Sequence, residues 1–253
     1  MLNIAKIFDI GLKMGVAADP RGEKGVKKYL AQIKSDYQEM SVAAKAGFDQ
    51  DRLTNPYVDS AILFDNGIKN VRRVMAGIDV TEPEVLVARH LSDKGQTVDL
   101  LIAHHPVGKA RASLHEVMDM AVDMFTSYGV PVHLAEKIME DRVREVGRWV
   151  HAVNHYKPVD VARLLNINFI TTHTITDNLV DEFLRNYLAE KKPERIKDLL
   201  EVLLELPEYQ EARKLGFGPK IFSGSPNHKV GKTLLEMTGG TTPSGRVYEE
   251  LSR

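Results

Sequence analysis

The sequence contains no cysteine, a single tryptophan and no long apolar run. Without cysteine the chain cannot form disulfides, thiolate metal sites or a cysteine nucleophile. The N-terminal stretch carries charges at Lys6, Asp9 and Lys13, so it is predicted to be neither a signal peptide nor a membrane span. These features predict a cytoplasmic protein.

A large net charge is also missing. The 34 Lys and Arg residues nearly cancel the 35 Asp and Glu residues, which leaves a formal charge of -1. No long-range field would therefore gather nucleic acid or an anionic membrane, and we expect a small molecule or another protein as partner. The composition is otherwise globular, with 43% hydrophobic and 27% charged residues over 253 positions.

Hydrophobic patterning predicts strands and helices in alternation. Helices are predicted over residues 2–16, 23–47, 82–94, 113–128, 135–154, 158–165, within 178–215, and over 229–237, with another starting after Gly245. Strands are predicted over residues 71–79, 98–104, 130–133, 168–173 and 220–223. This order predicts an α/β fold with mixed or mostly parallel sheets. We divide the chain into an N-terminal helical segment (1–56), an α/β core (57–180) and a charged helical stretch with an incomplete C-terminal α/β part (181–253).

Metal-binding residue types follow several of the predicted strands. They are Asp79, His104, His105, His173, Asp177 and His228. Ligands of open α/β sheets bind beyond the carboxyl ends of the strands, so these positions are candidates for a site. Imidazole and carboxylate suit zinc, manganese, iron or nickel, and the absence of thiolate ligands favours a catalytic or regulatory metal over a structural one. A purely structural alternative stays open, in which His104 ends a strand, His105 faces water and Asp177 caps a helix.

Other motifs fit established sites poorly. The sequence Gly231-Lys-Thr lacks the preceding glycine of a phosphate-binding loop, because position 226 is proline. His151 and His155 share one helix face, but their apolar neighbours indicate a packed helix. The run from His115 to Asp119 has aspartate where a zinc protease helix needs its second histidine.

Two motifs together resemble a known family. Residues 98–106, Val-Asp-Leu-Leu-Ile-Ala-His-His-Pro, follow Asp65-Asn-Gly67 and the strand at 71–79, and precede His173-Thr-Ile-Thr-Asp177. Over about residues 57–180 this pattern resembles the NIF-three-like family, often labelled GTP cyclohydrolase type two. The resemblance implies two α/β lobes and commonly a toroidal hexamer, so we expect a homo-oligomer.

The same resemblance implies a dinuclear site for divalent ions (Zn, Mn, Fe or Ni). His104, His105 and Asp177 would be metal ligands, and Asp79 or His173 would orient a ligand or shuttle a proton. Such a site favours a metal-dependent hydrolase acting on a small molecule or a nucleotide. The alternative is a non-enzymatic metal-binding scaffold or regulatory interaction protein.

The sequence departs from the family at its C-terminal end. Family members add a histidine followed about four residues later by an acidic residue, whereas here Gly245 is followed by Arg-Val-Tyr-Glu-Glu-Leu-Ser-Arg. Glu249 and Glu250 lie where a helix is predicted to begin, and we do not expect them to replace that element. We therefore expect a C-terminally shortened form with an incomplete metal site.

Overall fold

The computed structural model describes residues 2–252, and its four strands form one mixed sheet. The strands are β1 (Ser60–Phe64), β2 (Val74–Gly77), β3 (Leu100–Ala103) and β4 (Phe169–Thr172), in the sheet order β1-β4-β3-β2. β2, β3 and β4 run parallel, and β1 pairs antiparallel with β4. The α/β fold class predicted from the sequence is confirmed.

Helices make up most of the remaining structure. They are α1 (Ile4–Ala17), α2 (Gly22–Glu39), α3 (Val42–Ala46), α4 (Glu82–Asp93), α5 (Gly108–Ala112), α6 (Leu114–Val117), α7 (Met120–Ser127), α8 (Val132–His151), α9 (Lys157–Leu164), α10 (His173–Lys191), α11 (Ile196–Leu203), α12 (Pro207–Lys214) and α13 (Arg246–Leu251). Local sequence sets several helix starts. Asn3 caps α1 by accepting a hydrogen bond from Lys6 N, and Thr81 with Glu84 forms a capping box on α4.

The central strands are buried on both faces. Leu101 and Phe169 belong to a core cluster that includes residues of α4 and α9. The neighbouring residues Leu100 and Ile170 point to the opposite face and pack against Ile4 of α1. Helices therefore cover both sides of β3 and β4, which accounts for the unbroken apolar character of these strands.

The chain divides into two compact units, Met1–Val180 with Met237–Arg253, and Asp181–Glu236. Within the second unit the predicted strand at 220–223 is wrong, because Phe222 is 95% exposed and no neighbouring strand pairs with it. The predicted helix at 229–237 is also wrong. Instead, backbone groups of residues 226–230 form hydrogen bonds with residues 194–197, and Arg195 and Lys229 form an isolated β-bridge.

Some of the elements predicted for the first unit also differ from the structure. The strand predicted at 130–133 is wrong, because Gly129 turns the chain and Pro131 leads into α8. The single helices predicted at 23–47 and 113–128 are each broken into shorter helices. Strand β1 was not predicted. No helix within residues 2–252 is long and apolar enough to cross a membrane.

Candidate metal site

One edge of the sheet collects the residues that the sequence placed at strand ends. His104 and His105 directly follow β3, His173 directly follows β4 as the first residue of α10, and Asp79 lies two residues after β2. Because β1 runs antiparallel, its first residues lie at this same edge, and Asp59 immediately precedes it. The topology thus brings three imidazoles and two carboxylates together.

The three imidazoles have the spacing of a metal-binding cluster. One ring nitrogen each from His104, His105 and His173 lies within 4.8 Å of the others, and these residues form the one such group found within residues 2–252. Nitrogens about 2.1 Å from a shared zinc ion can be at most about 4.2 Å apart. Small side-chain rotations would therefore close the three rings around an ion.

An oxygen atom faces Nδ1 of each imidazole. The pairs are His105 Nδ1 with Asp79 Oδ1 at 2.7 Å, His173 Nδ1 with Asp59 Oδ2 at 2.8 Å, and His104 Nδ1 with Thr176 Oγ1 at 3.0 Å. When Nδ1 carries the proton and donates it to such an oxygen, Nε2 keeps its lone pair and can bind a metal. The contacts therefore orient all three rings in the way that metal-binding histidines require.

Asp177 adds a carboxylate to the same cluster. It lies four residues after His173, so both side chains share one face of α10. Its Oδ1 is 3.4 Å from His104 Nε2, and its Oδ2 is 3.9 Å from His173 Nε2. Burial raises the pKa of Asp177 to about 7. A buried carboxylate of this kind is stabilised in its ionised form when a cation binds beside it.

The imidazoles differ in their protonation. Burial, together with the neighbouring His173 and His105, lowers the pKa of His104 to about 4, so its ring is neutral at physiological pH. Burial also opposes the charged form of His173, but the hydrogen bond and the negative charge of Asp59 outweigh it and raise the pKa of His173. Asp59 thereby favours the imidazole ring with a proton on both nitrogens. A cation bound at Nε2 of His173 would replace the Nε2 proton, while Nδ1 keeps its hydrogen bond to Asp59. The donor set therefore fits a divalent metal.

Asp59 is the member of the site that sequence reasoning missed. Its side chain is fully buried, and its Oδ2 accepts hydrogen bonds from His173 Nδ1 and Thr174 Oγ1. The available signal was an acidic residue just before the short apolar run at 61–64. Without β1 in the predicted sheet, that position had no known relation to the histidines.

Asp59→Asn is expected to weaken zinc binding by about 10- to 100-fold, because it removes the charge that holds His173 in its ligating orientation. Competition with a chromophoric chelator measures this change. Asp93→Asn is the matched control, since Asp93 is exposed and pairs with Arg89 on α4. Equal zinc affinities for the two variants would contradict the orienting role of Asp59.

The remaining candidates are not members of the histidine cluster found within residues 2–252. His228 belongs to the unit Asp181–Glu236, where its Nδ1 accepts a hydrogen bond from Ser225 N at 3.3 Å. Glu249 and Glu250 lie on α13, as the sequence predicted for this helix, and neither belongs to the histidine cluster. His151 is exposed near the end of α8.

Comparison with solved structures identifies a relative with the same fold. The chain matches a NIF3 superfamily protein from Sphaerobacter thermophilus with a TM-score of 0.65 and 26% sequence identity, over 76% of this chain and 69% of that chain. No protein-family model and no curated protein sequence matches the chain. The protein has the NIF3 fold, and the match confirms the NIF-three-like resemblance indicated by the two sequence motifs.

Proposed function

We propose that this protein binds a divalent metal ion through Nε2 of His104, His105 and His173 and through the carboxylate of Asp177. The observation that carries the proposal is the convergence of three imidazoles whose Nδ1 atoms all face oxygen partners. The proposal makes His173 a ligand, whereas the sequence suggested an orienting or proton-shuttling role. Asp79 keeps the orienting role, through its contact with His105 Nδ1.

We further propose that the site hydrolyses a small molecule or a nucleotide. When bound, a divalent ion supplies Lewis-acid activation of water and of a substrate oxygen. The protein leaves room for both reactants, because the side chain of His105 is 44% exposed and that of Asp79 is 77% exposed. Asp79 Oδ1 stays bonded to His105 Nδ1, so its part in this reaction is to orient His105.

The resemblance motivates three further parts of this proposal. These are a second divalent ion, a metal drawn from zinc, manganese, iron or nickel, and assembly into a homo-oligomer. The histidine cluster supports one ion, since small rotations of the three side chains would let their nitrogens share it. The substrate class rests on the Lewis-acid chemistry and on the open side of the site.

A hydrolysis panel tests the proposed reaction. Protein purified without a metal-chelating tag is assayed on nucleotides, including GTP, and on phosphoesters, before and after EDTA treatment. We expect turnover that EDTA abolishes, that added metal restores, and that His104→Ala lacks. Metal binding without turnover on any substrate would contradict the hydrolase and favour the non-enzymatic scaffold.

A further inference from the structure

Helix α1 passes unusually close to the first turn of α10. A Cβ atom added at Gly15 would lie 3.0 Å from Ile175 Cα, 3.1 Å from Ile175 O and 3.3 Å from Ile175 Cγ2. The first two atoms belong to the backbone and cannot rotate away. Ile175 lies midway between His173 and Asp177, so the closest approach of α1 falls within the turn that carries both residues. Glycine at position 15 is what permits this approach.

Buried polar side chains also form hydrogen bonds where α1 crosses α10. The carbonyl oxygen of Gly15 accepts a hydrogen bond from Asn178 Nδ2 at 3.0 Å and lies 3.1 Å from Tyr57 Oη. Tyr57 Oη also lies 2.8 Å from Asp19 Oδ2 and accepts a hydrogen bond from Asn178 Nδ2 at 3.0 Å. Tyr57 and Asn178 are fully buried. Near the end of α1 the Gly15 carbonyl thus has a side-chain donor, Asn178 Nδ2, which partly replaces the helical hydrogen bonds that a helix end lacks.

Two residues of this network, Asn178 and Tyr57, lie close in sequence to residues of the metal site. Asn178 directly follows Asp177 on α10, and Tyr57 lies two residues before Asp59, the partner of His173 Nδ1. Asp19, the acceptor of Tyr57, is itself buried in a bidentate ion pair with Arg21. A shift of α1 relative to α10 would therefore displace both a carboxylate ligand and the group that orients His173.

We propose that Gly15, Tyr57 and Asn178 are positioning residues for the metal site. The close contact at Gly15 sets the distance between α1 and the first turn of α10. The side chains of Tyr57 and Asn178 set the rotation of that turn. Metal ligands must be held within about 0.5 Å of their working geometry for full affinity. This inference rests on the proposed metal binding by His173 and Asp177, and it assigns a function to a helix that contributes no ligand of its own.

Cobalt binding by a matched pair of variants tests the inference. Gly11→Ala is the control, because Gly11 lies one turn earlier on α1 and its added Cβ would meet only Ile175 Cγ2, at an ordinary 3.7 Å. Both changes replace a glycine of α1 by alanine, which raises helix propensity. We expect wild-type cobalt affinity and absorption bands for Gly11→Ala. For Gly15→Ala we expect at least a 10-fold weaker affinity together with shifted d–d bands.

Tyr57→Phe provides a second variant if Gly15→Ala does not fold. It removes one hydroxyl from the network and keeps the ring, and we expect weaker cobalt binding with shifted bands. The matched control is Tyr156→Phe, at an exposed tyrosine. Wild-type affinity and bands in Gly15→Ala, or in Tyr57→Phe where that variant is used, would overturn the positioning role. If the wild-type protein itself binds no cobalt, the proposed metal site fails and the inference fails with it.

Discussion

His104→Ala is expected to lower zinc affinity by more than about 100-fold, beyond the usual effect of changing a group that only supports a ligand. The variant removes an imidazole whose Nε2 lies 3.4 Å from Asp177 Oδ1 and whose depressed pKa keeps it neutral. No other residue follows β3 closely enough to take its place except His105, which already belongs to the cluster. Chelator competition and elemental analysis after dialysis measure the loss.

His151→Ala is the matched control for this experiment. His151 is exposed at the end of α8, so its removal tests for adventitious binding to a surface imidazole. We expect His151→Ala to retain the affinity and the metal content of the wild-type protein. If His104→Ala remains folded by circular dichroism and retains them as well, His104 is not a ligand.

Asp177→Asn is expected to stabilise the metal-free protein at pH 8 while it destroys metal binding. Burial raises the pKa of Asp177 from 3.8 to about 7, so the folded state favours the protonated carboxyl. The stability contributed by that preference is present below pH 4 and is lost as the pH rises through 7. At pH 8 the wild-type protein therefore carries a buried ionised carboxylate that the asparagine variant lacks.

We expect the free energy of unfolding of the variant to exceed that of the wild-type protein by roughly 1–3 kcal/mol at pH 8, and to differ little from it near pH 4. For a chain of this length the change amounts to several degrees in melting temperature. Added zinc should raise the melting temperature of the wild-type protein and leave that of Asp177→Asn almost unchanged. Asp93→Asn, at an exposed site, should unfold like the wild-type protein at pH 8 and keep the wild-type rise in melting temperature with zinc. A lower melting temperature for metal-free Asp177→Asn at pH 8 would contradict this account.

The sequence predicted the part of the site that depends on local patterns. Short apolar runs identified β3 and β4, and the histidines that follow them could be placed at one sheet edge because parallel strands end together. Asp59 could not be placed in this way. Its strand runs antiparallel, and the residues before such a strand reach the site only through a pairing that is not local in sequence.

The sequence was less informative for residues 181–236. Charged amphipathic patterns predicted the helices broken at Pro193 and Pro207, and α10, α11 and α12 confirm them. Residues 226–230 instead take their structure from backbone hydrogen bonds to residues 194–197, about thirty residues away. Such pairing leaves no periodic signal, and for this reason the helix at 229–237 was predicted wrongly.

X-ray absorption spectroscopy of the zinc-loaded protein shows directly whether three imidazoles bind the ion. We expect nitrogen and oxygen ligands at about 2.0–2.1 Å from the zinc ion, with the multiple scattering of about three imidazoles. The imidazole signal should fall in His104→Ala and stay unchanged in His151→Ala. A spectrum without imidazole scattering, or a protein that holds no zinc after dialysis, would contradict the proposed metal site.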